Sequence, residues 1–144
     1  MNFVPCNPEF ASVVRASFAQ QGFMKMMGAT LDRIEPGEVD ISALYRDNLT
    51  QQHGFLHAAA TTALADTASG YAALSLMPAG SEVLTIEFKV NLLRPAAGTR
   101  FTAEGRVVKP GKMITVSRAD VFAYTGHAPV LIATLLATMI IQPG

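Results

Sequence analysis

The chain has no tryptophan, a single cysteine and few charges, with eleven Lys and Arg against eleven Asp and Glu in 144 residues and zero formal net charge. Each scarcity closes a route. Cys6 alone cannot make an intrachain disulfide and has no second thiol to share a metal, so it reads as an incidental thiol. Balanced charge without a block of one sign provides no field to gather nucleic acid or an anionic membrane surface. The segment MNFVPCNPEF lacks a basic run followed by an apolar core. The longest nearly uncharged stretch is broken by Asp66 and Gly70 and is rich in Ala, Thr and Ser, unlike a membrane span. A cytoplasmic protein is expected, without nucleic acid, membrane or metal among its partners.

What is present is hydrophobic. Half of the residues are apolar, enough for one domain with its own core, and no repeat, low-complexity tract or linker divides residues 1–144. Residues 1–21 read as a flanking helix, with Asn7 as N-cap, Pro8 at the first helical position, and Phe10, Val13, Val14 and Phe18 at helical spacing. Residues 23–34 and 39–45 read as strands joined by Glu35-Pro36-Gly37, with Gly28 a weak point in the first. From Phe55 to Met77 the residues suit a helix about 33 Å long, stopped by Pro78 and Gly80. Its many small side chains let it approach a sheet closely, as a central helix would.

Strand signals follow. Leu84, Ile86, Phe88, Val90 and Leu92 alternate with Thr85, Glu87, Lys89 and Asn91, and the run ends at Arg94-Pro95. Residues 101–108, 113–124 and 130–142 are further strands, punctuated by Pro110-Gly111 and Thr125-Gly126-His127. The last is apolar on both faces except at Thr134 and Thr138, which fits either a subunit contact or a simply buried strand. The order predicts an α+β fold in which a long central helix is wrapped by an antiparallel sheet of five to six strands.

Asp66 is the one formally charged residue between Gly54 and Ser81. A carboxylate in so apolar a segment must be solvated, paired or used. It serves chemistry, or it is a helix-interior group accepting from Thr62 or Thr67. His57, nine positions earlier, would lie on the opposite face of the helix and about 13 Å away. It is a functional group or a satisfied residue at the helix start. Two such groups cannot act on one carbonyl within one chain, so if both function, a two-fold partner supplies one of them.

The run Gln51-Gln52-His53-Gly54-Phe55-Leu56-His57-Ala58-Ala59, continued by Leu64-Ala65-Asp66, resembles the signature of hotdog-fold acyl-CoA thioesterases of the phenylacetate-pathway type. That family has a polar Asn or Gln before a Gly-x-x-His-Gly-Gly turn, then Leu-Ala-Asp or Leu-Ala-Glu on the central helix. Val90-Asn91-Leu92-Leu93-Arg94-Pro95-Ala96 is similar to its next landmark. The resemblance implies a hotdog fold, hydrolysis of acyl-CoA thioesters by water without a cofactor, and a homodimer at minimum, paired into a homotetramer. It gives Asp66 the role of general base or nucleophile. It gives Gln51, His57 and the N–H of Ala58, from the neighbouring subunit, the holding of the thioester carbonyl and the water. Thr85, ten residues before Pro95, takes the place of a Ser or Thr that orients the water. Gly54 and Ala59 would border the substrate. A thioester oxygen that gains charge is favoured at a helix N-terminus with free N–H groups.

The chain departs from the family where Ala58-Ala59 replaces Gly-Gly, adding two methyl groups beside the substrate while retaining the N–H donors. A catalytically silent acyl-CoA binding protein would fit that change. His53, thirteen positions before Asp66, is a plain loop histidine or belongs to a hotdog hydratase or dehydratase, although those enzymes follow the histidine with Phe-Pro rather than Gly54-Phe55. Arg106, Lys109 and Lys112 flank Pro110-Gly111 and either meet the CoA phosphates or form a solvated hairpin tip.

Overall fold

A computed structural model describes residues 2–126 and 128–144, so His127 of the predicted last turn lies outside the described residues. The order is α1 (Phe10–Gln20), α2 (Gly22–Met27), β1 (Thr30–Glu35), β2 (Glu38–Leu44), a 3-10 turn (Asp47–Leu49), α3 (Ala58–Leu74), β3 (Ser81–Leu92), β4 (Arg100–Lys109), β5 (Ile114–Tyr124) and β6 (Pro129–Pro143). The six strands form one sheet in the order β1-β2-β4-β5-β6-β3, and every neighbouring pair is antiparallel. This is the α+β hotdog arrangement, with α3 packed against β2, β3, β4, β5 and β6. No helix among the described residues is long and apolar enough to cross a membrane.

Alternation builds the core. Val39 and Ile41 of β2, Phe101 and Ala103 of β4, Ala119 and Val121 of β5, and Leu135 and Met139 of β6 turn inward and are buried against α3. The helix meets them with Ala60, Leu64, Ala65, Ala68 and Ala72. Gly105 marks the closest approach, because a Cβ there would stand 2.2 Å from the backbone oxygen of Ala68.

Three expectations need correction. Residues 23–27 are helical rather than extended, since Met24 and Met27, three apart, are both buried while Phe23 and Met26 between and before them are each 51% exposed. Gly28, at φ 66°, ends that helix in a left-handed cap and is no weak point of a strand. Asn7 does not cap α1; its Oδ1 accepts the Glu9 N–H at 3.0 Å in the turn before it. The central helix begins at Ala58 rather than Phe55, because Leu56 is held extended by its bridge to Thr50 and His57, at ψ 142°, is the extended N-cap.

The fourth correction is one of phase. β3 carries a bulge between Thr85 and Glu87, leaving Ile86 unpaired. Thr85, Phe88, Val90 and Leu92 pair with the inward Met139, Ala137, Leu135 and Ala133, whereas Leu84, Glu87 and Lys89 pair with the outward Ile140, Thr138 and Leu136. The strict period of two therefore reverses at Ile86. β6, apolar on both faces, lies inside the sheet between β5 and β3, and the twelve-residue β3 is left as the edge.

Candidate active site

Two groups of polar atoms form on α3, one at its start and one at its middle. At the start, His57 is the N-cap, and its Nδ1 accepts the Ala59 N–H at 2.8 Å. In the neutral ring the proton then sits on Nε2, which faces outward as a donor. The carbonyl of His57 receives the N–H groups of Ala60 and Thr61. Among the described residues the N–H of Ala58 has no acceptor. Gln51 is fixed in the turn that precedes the helix, where its backbone N–H bonds to the Phe55 carbonyl and its Oε1 accepts the His53 N–H. Among the described residues the Gln51 Nε2 hydrogens have no acceptor and are open to donate. Gly54 closes the same turn, with its carbonyl held by the Tyr45 hydroxyl at 3.0 Å.

Gln51 and Ala58 line a cleft of about 430 Å³ with Phe55, Thr61, Leu93 and Pro95. The positive end of the helix dipole opens into it. Its placed polar hydrogens are donors, which suits an oxygen that acquires negative charge.

Half-way along α3, Asp66 faces a second cleft of about 220 Å³, shared with Gln21, Gly70, Tyr71, Val83 and Thr85. The Thr85 hydroxyl donates to Asp66 Oδ1 at 2.8 Å and is the partner found among the described residues, in place of the anticipated Thr62 or Thr67. Partial burial raises the Asp66 pKa above the ordinary carboxylate value, and the Thr85 hydrogen bond offsets part of that rise. A carboxylate tuned upward and open on one oxygen is suited to take a proton.

The two clefts are separate. Eight helical positions from Ala58 to Asp66 span about 12 Å. One chain thus places donors at one end of β3, beside Leu92, and the carboxylate at the other, beside Thr85.

The remaining candidates fall outside both clefts. Ala59 is exposed and its N–H is taken by His57. His53 is exposed in its turn. Arg106 does not sit at a hairpin tip; it lies on the outer face of β4, surrounded by Asp40, Glu38 and Glu104, so its charge is already balanced. Lys109 ends β4, and Lys112 borders another cleft with Cys6, Leu76 and Pro110. Among the described residues no cluster of three or more His, Cys, Asp or Glu is close enough to hold a metal ion.

Sequence reading passed over Gly70 and Tyr71, which helical spacing from Asp66 was able to reveal, and Gln21, which no local signal ties to Asp66. It also passed over Thr61, 2% exposed, one turn after Ala58, whose hydroxyl has no partner among the described residues.

Comparison with known proteins identifies the family and the fold. The profile of the thioesterase superfamily matches residues 53–130. A thioesterase family protein from Silicibacter pomeroyi is 47% identical and superposes with a TM-score of 0.92, over 94% of this chain and 99% of that one. A Saccharolobus solfataricus protein provisionally named an esterase is 30% identical over 130 residues, 90% of this chain and 84% of its own. The E. coli PaaI protein from the phenylacetic acid degradation operon shares the fold, with a TM-score of 0.82 at 17% identity over 96% of this chain and 97% of its own.

Proposed function

Because this chain belongs to the thioesterase superfamily, we propose that it hydrolyses acyl-CoA thioesters to the free acid and CoA, with Asp66 as the base. Family membership makes it a hydrolase of thioester or ester bonds. In the proposed step Asp66 takes a proton from water as the water oxygen bonds to the thioester carbon. The carbonyl oxygen, charged in the intermediate, is held by the Ala58 N–H and Gln51 Nε2, with His57 Nε2–H as a further donor. The intermediate collapses with cleavage of the C–S bond, and the proton on Asp66 passes to the leaving sulfur. If Asp66 itself attacked, CoA thiolate would leave first and water would then open the mixed anhydride; burst release of CoA ahead of the free acid, or label in the Asp66 carboxylate after a single turnover in labelled water, would mark that route.

The observation that supports this reading is the split between the clefts, donors at one end of β3 and the carboxylate at the other. β3 is an unpaired edge of twelve residues, a template for a second strand. Two copies joined antiparallel along it by a two-fold axis bring the Thr85 end of one beside the Leu92 end of the other. The seven-step span from Thr85 to Leu92, about 23 Å within one chain, then separates two composite sites rather than two halves of one. Two such dimers would pair through the outer sheet face, where Leu84, Ile114 and Leu136 are exposed, to give a homotetramer.

Mixing tests the shared site. An Asp66→Asn protein and a Gln51→Ala/His57→Ala protein, each inactive alone, should regain part of the wild-type rate when refolded together, since some heterodimers hold one intact site. Mixtures as dead as their parents, with heterodimers confirmed by mass, would sink the model.

A further inference from the structure

Gly70 lies in the interior of α3, where glycine is about 1 kcal/mol less favourable than alanine. Packing does not demand it. A Cβ there would meet only the Met139 Cε at 3.9 Å, an ordinary contact, unlike the collision that keeps Gly105 a glycine. Gly70 is one helical turn beyond Asp66 and borders the same cleft. The space it leaves therefore serves something outside the chain.

At the end of that space are Gln21 and Tyr71. Tyr71 is 3% exposed, and its hydroxyl receives the Gln21 Nε2 at 2.9 Å and shares a hydrogen with Ser17 Oγ at 3.1 Å. One amide hydrogen thus fixes Gln21 against the helix. Its Oε1 and second amide hydrogen have no partner among the described residues. The amide can give a hydrogen bond to a ligand oxygen and accept one from a hydroxyl. Among the described residues no Lys, Arg or His lines the cleft, and Asp66 is the one charged side chain in its wall.

We infer that this cleft takes the far end of the acyl group and selects neutral chains bearing a hydroxyl or carbonyl oxygen there, with Gln21 reading that oxygen and Tyr71 positioning Gln21. The inference rests on the thioesterase reading, which puts the reacting carbon beside Asp66. A simple alkyl end would strip water from the Gln21 amide and return no hydrogen bond. An acyl group ending in a carboxylate would bring a second negative charge near Asp66 with no cation to meet it.

The test uses pairs of acyl-CoA and ω-hydroxyacyl-CoA thioesters matched in heavy-atom number over a range of chain lengths, with succinyl-CoA and adipoyl-CoA as charged members. At the chain length that reaches Gln21, kcat/KM should favour the hydroxyl member by about tenfold or more, and the charged members should be the poorest substrates. Gln21→Met, close in shape but without hydrogen bonds, should bring the ratio to about one, and Tyr71→Phe should lower it part of the way. Calorimetric binding of the same pairs to the Asp66→Asn protein should show the same preference without any turnover. If Gln21→Met folds poorly, Tyr71→Phe and the wild-type pairs decide. Equal kcat/KM within every wild-type pair, or a preference that survives both substitutions, overturns the subsite and leaves the thioesterase reading intact. A wild-type protein that hydrolyses no member, while Asp66→Asn still binds the hydroxyl members more tightly, overturns the thioesterase reading and leaves the oxygen-selective cleft standing.

Discussion

Thr85 reaches Asp66 across 2.8 Å because the unpaired Ile86 next to it shifts the phase of β3. The bulge lets Thr85 and Phe88, three apart, face α3 together, and so puts a hydroxyl where the carboxylate can use it. Thr85→Val keeps the shape and removes the donor. The hydrogen bond lowers a pKa that burial has raised, so its loss leaves the pKa higher still. The acid limb of kcat/KM should move to higher pH, with a fall of about tenfold near neutrality. An unmoved limb would mean that Thr85 leaves the proton affinity of Asp66 unchanged.

Asp66→Asn should lower kcat by at least about a hundredfold, since an amide takes no proton. The same change should stabilise the fold near neutral pH. The folded-state pKa of Asp66 lies above its unfolded value, so the protonated group favours folding at low pH and that advantage is lost as pH rises through the folded pKa. Melting curves of wild type and variant should converge towards about pH 4, near the unfolded carboxylate value, and separate above it. A gap that is constant with pH would place the stabilisation elsewhere.

The two alanines that replace the family's glycines are not equivalent. Ala58 borders the donor cleft, whereas Ala59 is exposed. Ala58→Gly should raise kcat/KM for a bulky aromatic acyl-CoA relative to acetyl-CoA severalfold, and Ala59→Gly should not. Both should melt slightly lower, by less than the full helix-interior cost of about 1 kcal/mol, because the first turn is forgiving. An equal response of the two variants would remove Ala58 from the pocket wall.

Gly70→Ala should do the reverse of a damaging mutation to stability and damage function instead. The methyl fits beside Met139, so the melting temperature should rise by about 2–4 °C if most of the glycine penalty is recovered. It also fills the Asp66 cleft, so kcat/KM should fall most for the largest acyl groups. A loss of stability would show that α3 needs glycine for itself.

Much of this was legible in the chain because single residues stood out against their surroundings. Asp66 is conspicuous in an apolar helix, and the Gln51 to His57 run carries a spacing that the helix N-terminus explains. The four long strands from Ser81 to Pro143 follow from alternation and turn residues. What stayed hidden depends on contacts distant in sequence. The bulge at Ile86 is set by pairing with β6, and nothing in Leu84-Thr85-Ile86-Glu87 announces it. α2 was obscured because GFMKMM is short and apolar enough to suit a strand, and only the joint burial of Met24 and Met27 against the core decides its state. Gln21 meets Tyr71 fifty residues away.

The contact of Gly105 with the Ala68 backbone bears on how readily this protein can change its diet. Ala68 is two residues from Asp66, so main chain rests on main chain almost beneath the carboxylate. Such a seat cannot be repacked as a side-chain contact can, and Gly105→Ala should cost about 1–3 kcal/mol or more and be the least tolerated change in β4. In return, the height of the carboxylate above the sheet is independent of the residues that shape the clefts. Gln21, Ala58 and Gly70 can be exchanged over evolutionary time, or in a laboratory library, while the carboxylate stays at a fixed address. Variation in appetite is thereby uncoupled from the chemistry that satisfies it.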